Sequence, residues 1–524
     1  MSQIAERPVE APAVSSHDRE RHEPEPPAPS ATPSLLVRGR AWCERHPDLA
    51  PLAVILTLGL VFRLALLYRV PPLFMPGDSQ SFLIPAYDLA RGLGFDPILK
   101  RPLGYPLLLA GSIVLLGEDL RALVFVQAML GLVTVAATYW IGRLIFGRLA
   151  GSLAALSVAI GGQLLIYEHY VLAESVFAMF LALAVLGLVA AVRVQGSAYR
   201  VAAAGGVALA FASLFRPIAE ALVPLIPIYY LVTVLPRRRA LTLTAVALVA
   251  FAATMVPAAF ADLFLRGGFS SGALGEHLLW RLTRSDSGYL VRADIPPDQP
   301  GSPEATARRY VIRKAVERTL PQEIFTGLVR DLGMAPGDAD ALMRAIAIEA
   351  MLRQPARYVA STLRMTVELF FADDQSLGEV SKRDGEAGYI NPQARQRTWF
   401  EERIFHLGEP PSAAVENEFE SATWLTTLYQ PGRFLWILGA GFLVGCVVCL
   451  VSRPHRIGLL LVLAIPPMLL ANAAIAGPEA RFRYPVDPLI AVVAFGGLVW
   501  LTRVAWTGTR GRRAASVSTN EKLR

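Results

Sequence analysis

Pro76-Gly77-Asp78-Ser79-Gln80-Ser81-Phe82, running on through Tyr87-Asp88-Leu89-Ala90-Arg91-Gly92-Leu93-Gly94-Phe95 to Arg101-Pro102-Leu103-Gly104-Tyr105-Pro106, decides how this chain is read. It follows an apolar run long enough to cross a bilayer and holds the first carboxylates at the membrane surface. A Gly-Asp turn opens a helix that is half apolar (Phe82, Leu83, Ile84, Leu89) and half polar, the pattern of a helix lying flat at an interface. Helix capping alone accounts for a Gly-Asp-Ser start. The position just beyond a span gives Asp78 a second use. Shielded on the membrane side, a carboxylate there can hold a raised pKa and take a proton from an incoming hydroxyl or amine. Asp88 reads as a solvated helix position and Asp96 as a turn residue before Pro97.

Outward from this stretch the chain is apolar. Of 524 residues, 54% are hydrophobic and 18% charged, too few charges for a soluble protein of this length. Candidate spans fall at about 51–69, 120–141, 147–166, 174–192, 201–215, 217–235, 240–264, 432–451, 456–475 and 485–502. Arg216-Pro217 separates two of them and predicts a sharp turn or kink. The apolar run 103–117 is too short to span and suits an interfacial or re-entrant segment. With ten spans and the N-terminus inside, the inner segments carry Arg38/Arg40/Arg45, Arg143/Arg148, Arg193/Arg200, Arg237/Arg238/Arg239, Arg453/Arg456 and Arg503/Arg510. Each is basic, as the positive-inside rule requires, and an eleventh span at 103–117 would put most of them outside. The net charge of +7 is thus explained by topology, and no nucleic-acid signature is present.

The expected organisation is a cytoplasmic tail at 1–48, polar and disordered, then a transmembrane module at 49–265 with its first outer loop at 70–119. An outer-face segment at 266–431 follows, with helical periodicity near 303–319, 338–354 and 356–371. C-terminal spans at 432–503 and a basic tail at 504–524 complete it, with both termini cytoplasmic. Cys43, Cys446 and Cys449 support neither a disulfide framework nor a zinc site, since a lone Cys-x-x-Cys inside an apolar run has no partner ligands. A phosphate-cradling Gly-x-x-x-x-Gly-Lys loop and His-Glu-x-x-His are missing from the sequence.

Two further groups belong to the outer face. Glu168-His169-Tyr170-Val171-Leu172-Ala173-Glu174 opens a span, where Glu174 suits the helix dipole or faces a cavity, orienting a sugar or sharing a cation with Asp78. His169 is a candidate phosphate or metal contact. Arg216-Pro217 with Glu220, and Pro478-Glu479-Ala480-Arg481-Phe482-Arg483-Tyr484-Pro485, place arginines against the charge bias of the outer side. Snorkelling is one explanation. A phosphate at the membrane surface is another, because guanidinium matches its oxygens bidentately.

On the Asp-bearing first loop, Tyr-x-x-Ala-Arg-Gly-x-Gly-Phe (Tyr87 to Phe95), Arg101 to Pro106, Glu174 at a span head, Arg353 to Tyr358 and Arg481 to Pro485, the chain resembles the GT-C superfamily of integral-membrane glycosyltransferases. The similarity is greatest to the family-39-like protein mannosyltransferase and lipid A aminoarabinose transferase group. It implies an all-α polytopic membrane fold of about ten transmembrane helices, with interfacial helices in the first outer loop and a mainly helical outer segment. It also implies an inverting transfer of a sugar from a polyprenyl-phosphate donor to a glycan, lipid or protein acceptor on the outer face of the cytoplasmic (inner) membrane. Asp78 would be the general base and Glu174 a second acid. Tyr87, Arg101, Tyr105, His169, Arg216, Glu220, Arg481, Arg483 and Tyr484 would contact substrates, with Arg481 and Arg483 on the phosphate. No cofactor is fixed by the resemblance, and a divalent cation (Mg2+ or Mn2+) stays open. The chain departs from the Asp-Glu pair frequent in the family's first loop, since Ser79 follows Asp78. A lipid-linked substrate transporter or flippase would need charges within spans, and a non-catalytic envelope assembly subunit would have no need of Asp78.

Overall fold

The computed structural model describes residues 47–70, 72–73, 78–94, 101–117, 119–266, 274–285, 303–372, 428, 434–477 and 480–521. The expected N-terminal tail with Cys43, Gly77 and Asp96 of the first loop, and most of 373–433 lie outside those residues. The chain divides into Met1–Ala50 and Pro51–Arg524, and the second unit is the one described. Among the described residues no strand ladder forms, and a single β-bridge pairs Leu73 with Tyr170.

Among the described residues, seven helices are long and apolar enough to cross a membrane. They include α1 (Leu49–Arg69) and, further on, Leu120–Phe146, Glu174–Arg193 and Ala198–Phe215. Between α1 and the next span lie α2 (Asp78–Ala90) and α3 (Gly104–Leu116), then α4 (Leu120–Phe146). The short α3 has the length expected of an interfacial segment, and its buried Gly104 lets it meet the end of the span before Arg216: a Cβ there would lie 2.6 Å from the Leu214 carbonyl oxygen. α5 (Arg148–Ala159) and α6 (Gly162–His169) meet at a 47° bend and make an eighth span if taken together. α7 (Glu174–Arg193), α8 (Ala198–Phe215), α9 (Leu225–Thr233) and α10 (Arg237–Arg266) follow.

Two of the ten expected spans differ. The stretch 217–235 is a 3-10 turn, Pro217–Leu222, followed by the short α9, because Pro217 and Pro224 remove donors that a continuous helix needs. Arg216, held extended before Pro217, marks the break the sequence predicts. The described part of 432–451 is α16 (Leu435–Val451), shorter than a full span. α17 (Leu459–Ile475) and α18 (Asp487–Glu521) end the chain, the last running through the segment expected to be a tail.

The segment expected at the outer face contains α11 (Leu274–Trp280), α12 (Pro303–Val316), α13 (Pro321–Arg330), α14 (Pro336–Arg353) and α15 (Pro355–Phe371). Four of the five start on proline, whose fixed φ and missing donor suit the first helical position. Leu279, Val311, Ile324, Met343 and Ile346 give it a core of its own. The buried Arg281 ties it to the membrane module, donating from Nε to the Ala473 carbonyl (3.0 Å) at the end of α17 and from Nη2 to Ser361 Oγ (2.7 Å). Tyr358 donates to the Ala474 carbonyl at 3.0 Å beside it.

Within the membrane module α7 and α8 touch backbone to backbone. A Cβ on Gly187 would lie 2.7 Å from the Gly205 Cα, so the helices would have to part. Gly187→Ala should therefore cost about 1–3 kcal/mol. Gly111→Ala, where a Cβ meets nothing within 4 Å, should leave the thermal midpoint in detergent unchanged or slightly raised. Equal midpoints for the two variants would refute this packing.

Candidate functional site

Two backbone bonds assemble the site. The Leu73 N–H donates to the His169 carbonyl (2.9 Å), and the Val171 N–H donates to the Leu73 carbonyl (2.9 Å). Leu73 precedes Asp78 by five residues and Tyr170 precedes Glu174 by four, so this stitch sets the first turn of α2 beside the first turn of α7. Both turns begin with a carboxylate.

Asp78 bridges two guanidiniums. Its Oδ1 accepts from Arg101 Nη2 and its Oδ2 from Arg481 Nη1. Arg101 is held further by donating from Nε to Ser81 Oγ (2.7 Å), whose hydroxyl donates to the Asp78 carbonyl (2.6 Å). Its guanidinium lies 4.9 Å from the Phe82 ring centroid. Beside this triad, Glu174 pairs with Arg216 at 3.4 Å. Phe482 joins the halves, with the Arg216 and Arg481 guanidiniums 5.1 and 4.8 Å from its centroid. Among the described residues, three guanidiniums and two carboxylates thus meet here. Asp78 keeps 25% of its side chain accessible, whereas Glu174 keeps 7%.

Burial by itself would raise the Asp78 pKa, but the Arg101 and Arg481 charges outweigh it and hold the carboxyl well below the usual carboxylate range. The raised pKa expected from the sequence is corrected on this point: its two arginines come from positions 23 and 403 residues away, which local reading does not reveal. His277, on α11, was not foreseen. Burial pulls its imidazole down to about 4, and it feels Arg101, Asp78, Arg481 and Arg216 together, Asp78 in the opposite sense. Ser81 was also missed, although its spacing of three from Asp78 is a usual local hydrogen-bonding distance.

The other expected contacts are placed differently. Tyr87, Tyr105, His169, Arg483 and Tyr484 each expose 3% or less of their surface. The Tyr105 hydroxyl donates to Gln127 (2.6 Å), and its pKa is pushed well up by burial and by Glu174. His169 Nδ1 sits 3.1 Å from the Leu165 carbonyl, Tyr87 lies under Arg91, and Tyr484 packs on Tyr167. Arg483 pairs with Asp487 (2.8 Å) and donates to the carbonyls of Phe370 (2.9 Å) and Ala372, which closes the end of α15 onto α18. Its guanidinium is occupied by protein groups rather than turned to the open side of the cluster. Glu220 is exposed on the 3-10 turn after Arg216. Among the described residues no group of three or more His, Cys, Asp or Glu is arranged to hold a metal ion, and both Asp78 oxygens are taken by guanidiniums. This donor set does not fit a divalent cation, and no step is derived through one.

Residues 100–260 match the dolichyl-phosphate-mannose-protein mannosyltransferase family. That stretch carries Arg101, Glu174 and Arg216, and the match agrees with the resemblance read from the sequence motifs. No curated protein matches the chain. Among solved structures, the chain is similar to the archaeal oligosaccharyltransferase AglB from Archaeoglobus fulgidus in complex with an inhibitory peptide and a dolichol-phosphate, at 14% identity and a TM-score of 0.46, covering 90% of this chain and 52% of that one. A second structure of the Archaeoglobus fulgidus oligosaccharyltransferase, tethered to an acceptor peptide, gives 18%, 0.47, 88% and 50%. ArnT from Cupriavidus metallidurans bound to undecaprenyl phosphate gives 13%, 0.33, 85% and 77%. The chain spans about half the length of the archaeal proteins. At these scores the likenesses carry nothing about the site.

Because Asp78 titrates lower in the folded chain than in the unfolded one, its pairing stabilises the fold above its ordinary pKa of 3.8 and fades as the pH falls below it. Asp78→Asn should lose less of its thermal midpoint than wild type between about pH 5 and pH 3. Parallel acid curves would contradict the pairing. Arg483→Met should cost about 3–5 kcal/mol by orphaning buried groups, and Arg481→Met should cost less, since its partner Asp78 keeps Arg101. The reverse order would show that the two arginines have been assigned the wrong surroundings.

Proposed function

We propose that the chain is a membrane glycosyltransferase that moves a sugar from a polyprenyl-phosphate donor to an acceptor at the outer face of the cytoplasmic membrane, with inversion. The observation that carries this reading is the cluster of Asp78, Arg101, Arg481, Arg216 and Glu174, in which three guanidiniums gather around two carboxylates among the described residues. The family match over 100–260 supports the reaction class.

A lipid-tailed donor cannot leave the bilayer, so its phosphate sits at headgroup depth, where the clustered guanidiniums attract it. Arg216 and Arg481, side by side over Phe482, are the phosphate contacts. Asp78 is the base. Before the donor binds, two guanidiniums depress its basicity and it is a poor proton acceptor. A phosphate that draws Arg481 toward itself frees one carboxylate oxygen, so Asp78 gains basicity when a donor is in place. The acceptor hydroxyl or amine then gives its proton to Asp78, its oxygen or nitrogen bonds to the anomeric carbon, and the bond from that carbon to the phosphate oxygen breaks. Charge developing on the leaving lipid phosphate is met by Arg481 and Arg216. Arg101, fixed by Ser81, keeps the carboxylate aimed, and Glu174 orients Arg216. His277, near enough to feel the charges of the cluster, is assigned to accept a hydrogen bond from a sugar or acceptor hydroxyl. Arg483 holds the loop bearing Arg481 rather than the phosphate.

Asp78→Asn tests the reading. Transfer of labelled sugar from a polyprenyl-phosphate donor in proteoliposomes should fall about a hundredfold or more, with elution close to wild type and the thermal midpoint at neutral pH lowered only by the lost ion pairs. Mass spectrometry of envelope glycans and glycolipids from cells lacking the chain identifies the sugar and the acceptor. A variant that transfers sugar at the wild-type rate would sink the assignment of Asp78.

A further inference from the structure

Below the cluster, inside the membrane module, a second ion pair is buried. Arg63, in α1, donates from Nη2 to Glu168 Oε1 at 2.6 Å, and from Nη1 to the carbonyls of Gly59 and Ala159 at 3.1 Å each. The Ala159 carbonyl lies at the end of α5, where the bend leaves it without a helical partner, so Arg63 closes the break between α5 and α6. Room for the Glu168 carboxylate is made by Gly131 of α4: a Cβ there would lie 2.0 Å from Glu168 Oε1.

That geometry spends one oxygen of Glu168 and leaves the other. Glu168 Oε2 and Ser175 Oγ are both buried and unpartnered, on side chains 4% and 7% exposed as residues. A buried acceptor left unpaired costs about 1–3 kcal/mol, so each should find a partner. Both residues line one cavity of about 20 Å³, and Glu174 lines the same cavity, with Tyr167, Thr134 and Tyr484. One water needs roughly 10–15 Å³ by this measure and two or more polar partners. The cavity is large enough for one and too small for a substrate group.

We propose that a single water occupies this cavity, donating one proton to Glu168 Oε2 and one to Glu174 while accepting from the Ser175 hydroxyl. It joins the Arg63–Glu168 pair to the Glu174–Arg216 pair of the site. Glu168 and Ser175 are then positioning residues, which hold the Glu174 carboxylate and through it the Arg216 guanidinium. The water itself follows from burial and geometry; its effect on transfer rests on the functional reading above.

Ser175→Ala removes one partner of the water with almost no change in volume. Losing one such hydrogen bond should lower kcat about threefold to tenfold, with the donor KM and the thermal midpoint unchanged, since loosened arginine placement is felt most as charge develops on the phosphate. A density map that resolves buried waters should show one between Glu168 and Ser175 in wild type and none, or a displaced one, in the variant. A dry cavity in such a map, a wild-type kcat, or a kcat and KM that fall with the midpoint overturns the proposal. Should Asp78→Asn retain transfer, the functional reading fails separately and the map still decides the water.

Discussion

Asp78 cannot be held by Arg101 and Arg481 at once unless three distant parts of the chain meet at one depth. That bridge is the constraint on which the architecture depends. One arginine follows the interfacial helix, the other precedes the last span, and the carboxylate follows the first. The Leu73–Tyr170 stitch, the prolines that stop α8 and divide 217–235, and the Arg483 clasp on the end of α15 each fix one of the approaching pieces.

The electrostatics follow from placement. Ion pairs such as Arg313–Glu317 on the outer segment are solvated and contribute little. The cluster at Asp78 is partly shielded, so its guanidiniums keep their attraction for an anion. The same shielding makes the base weak while it is paired. In the proposed reading, anion binding and base strength are coupled through Arg481, and a proton acceptor that strengthens only beside a bound phosphate would protect the donor from idle hydrolysis.

Much of this was legible in the sequence. Spans were marked by runs of apolar residues, the break at 216 by Arg-Pro, and three outer helices by their periodicity. The acids and arginines of the cluster were identifiable because carboxylates at span heads and arginines on the outer side both run against expectation. What stayed hidden depended on pairing across long separations. The sequence cannot tell that Arg483 turns inward to backbone carbonyls while Arg481, two residues earlier, reaches Asp78. Nor does it show that Glu168, six residues before Glu174, faces Arg63 of the first span. A segment such as 217–235 reads as apolar apart from Glu220, and only its prolines hint that it is too broken to cross as one rod.

The coupling between phosphate and base can be seen directly in a structure with a short-chain polyprenyl phosphate bound in lipid nanodiscs. The account predicts a phosphate within hydrogen-bond reach of both Arg216 and Arg481, with Arg481 drawn off Asp78 and Arg101 still in place. A phosphate held elsewhere, with the Asp78–Arg481 pair intact, would contradict it.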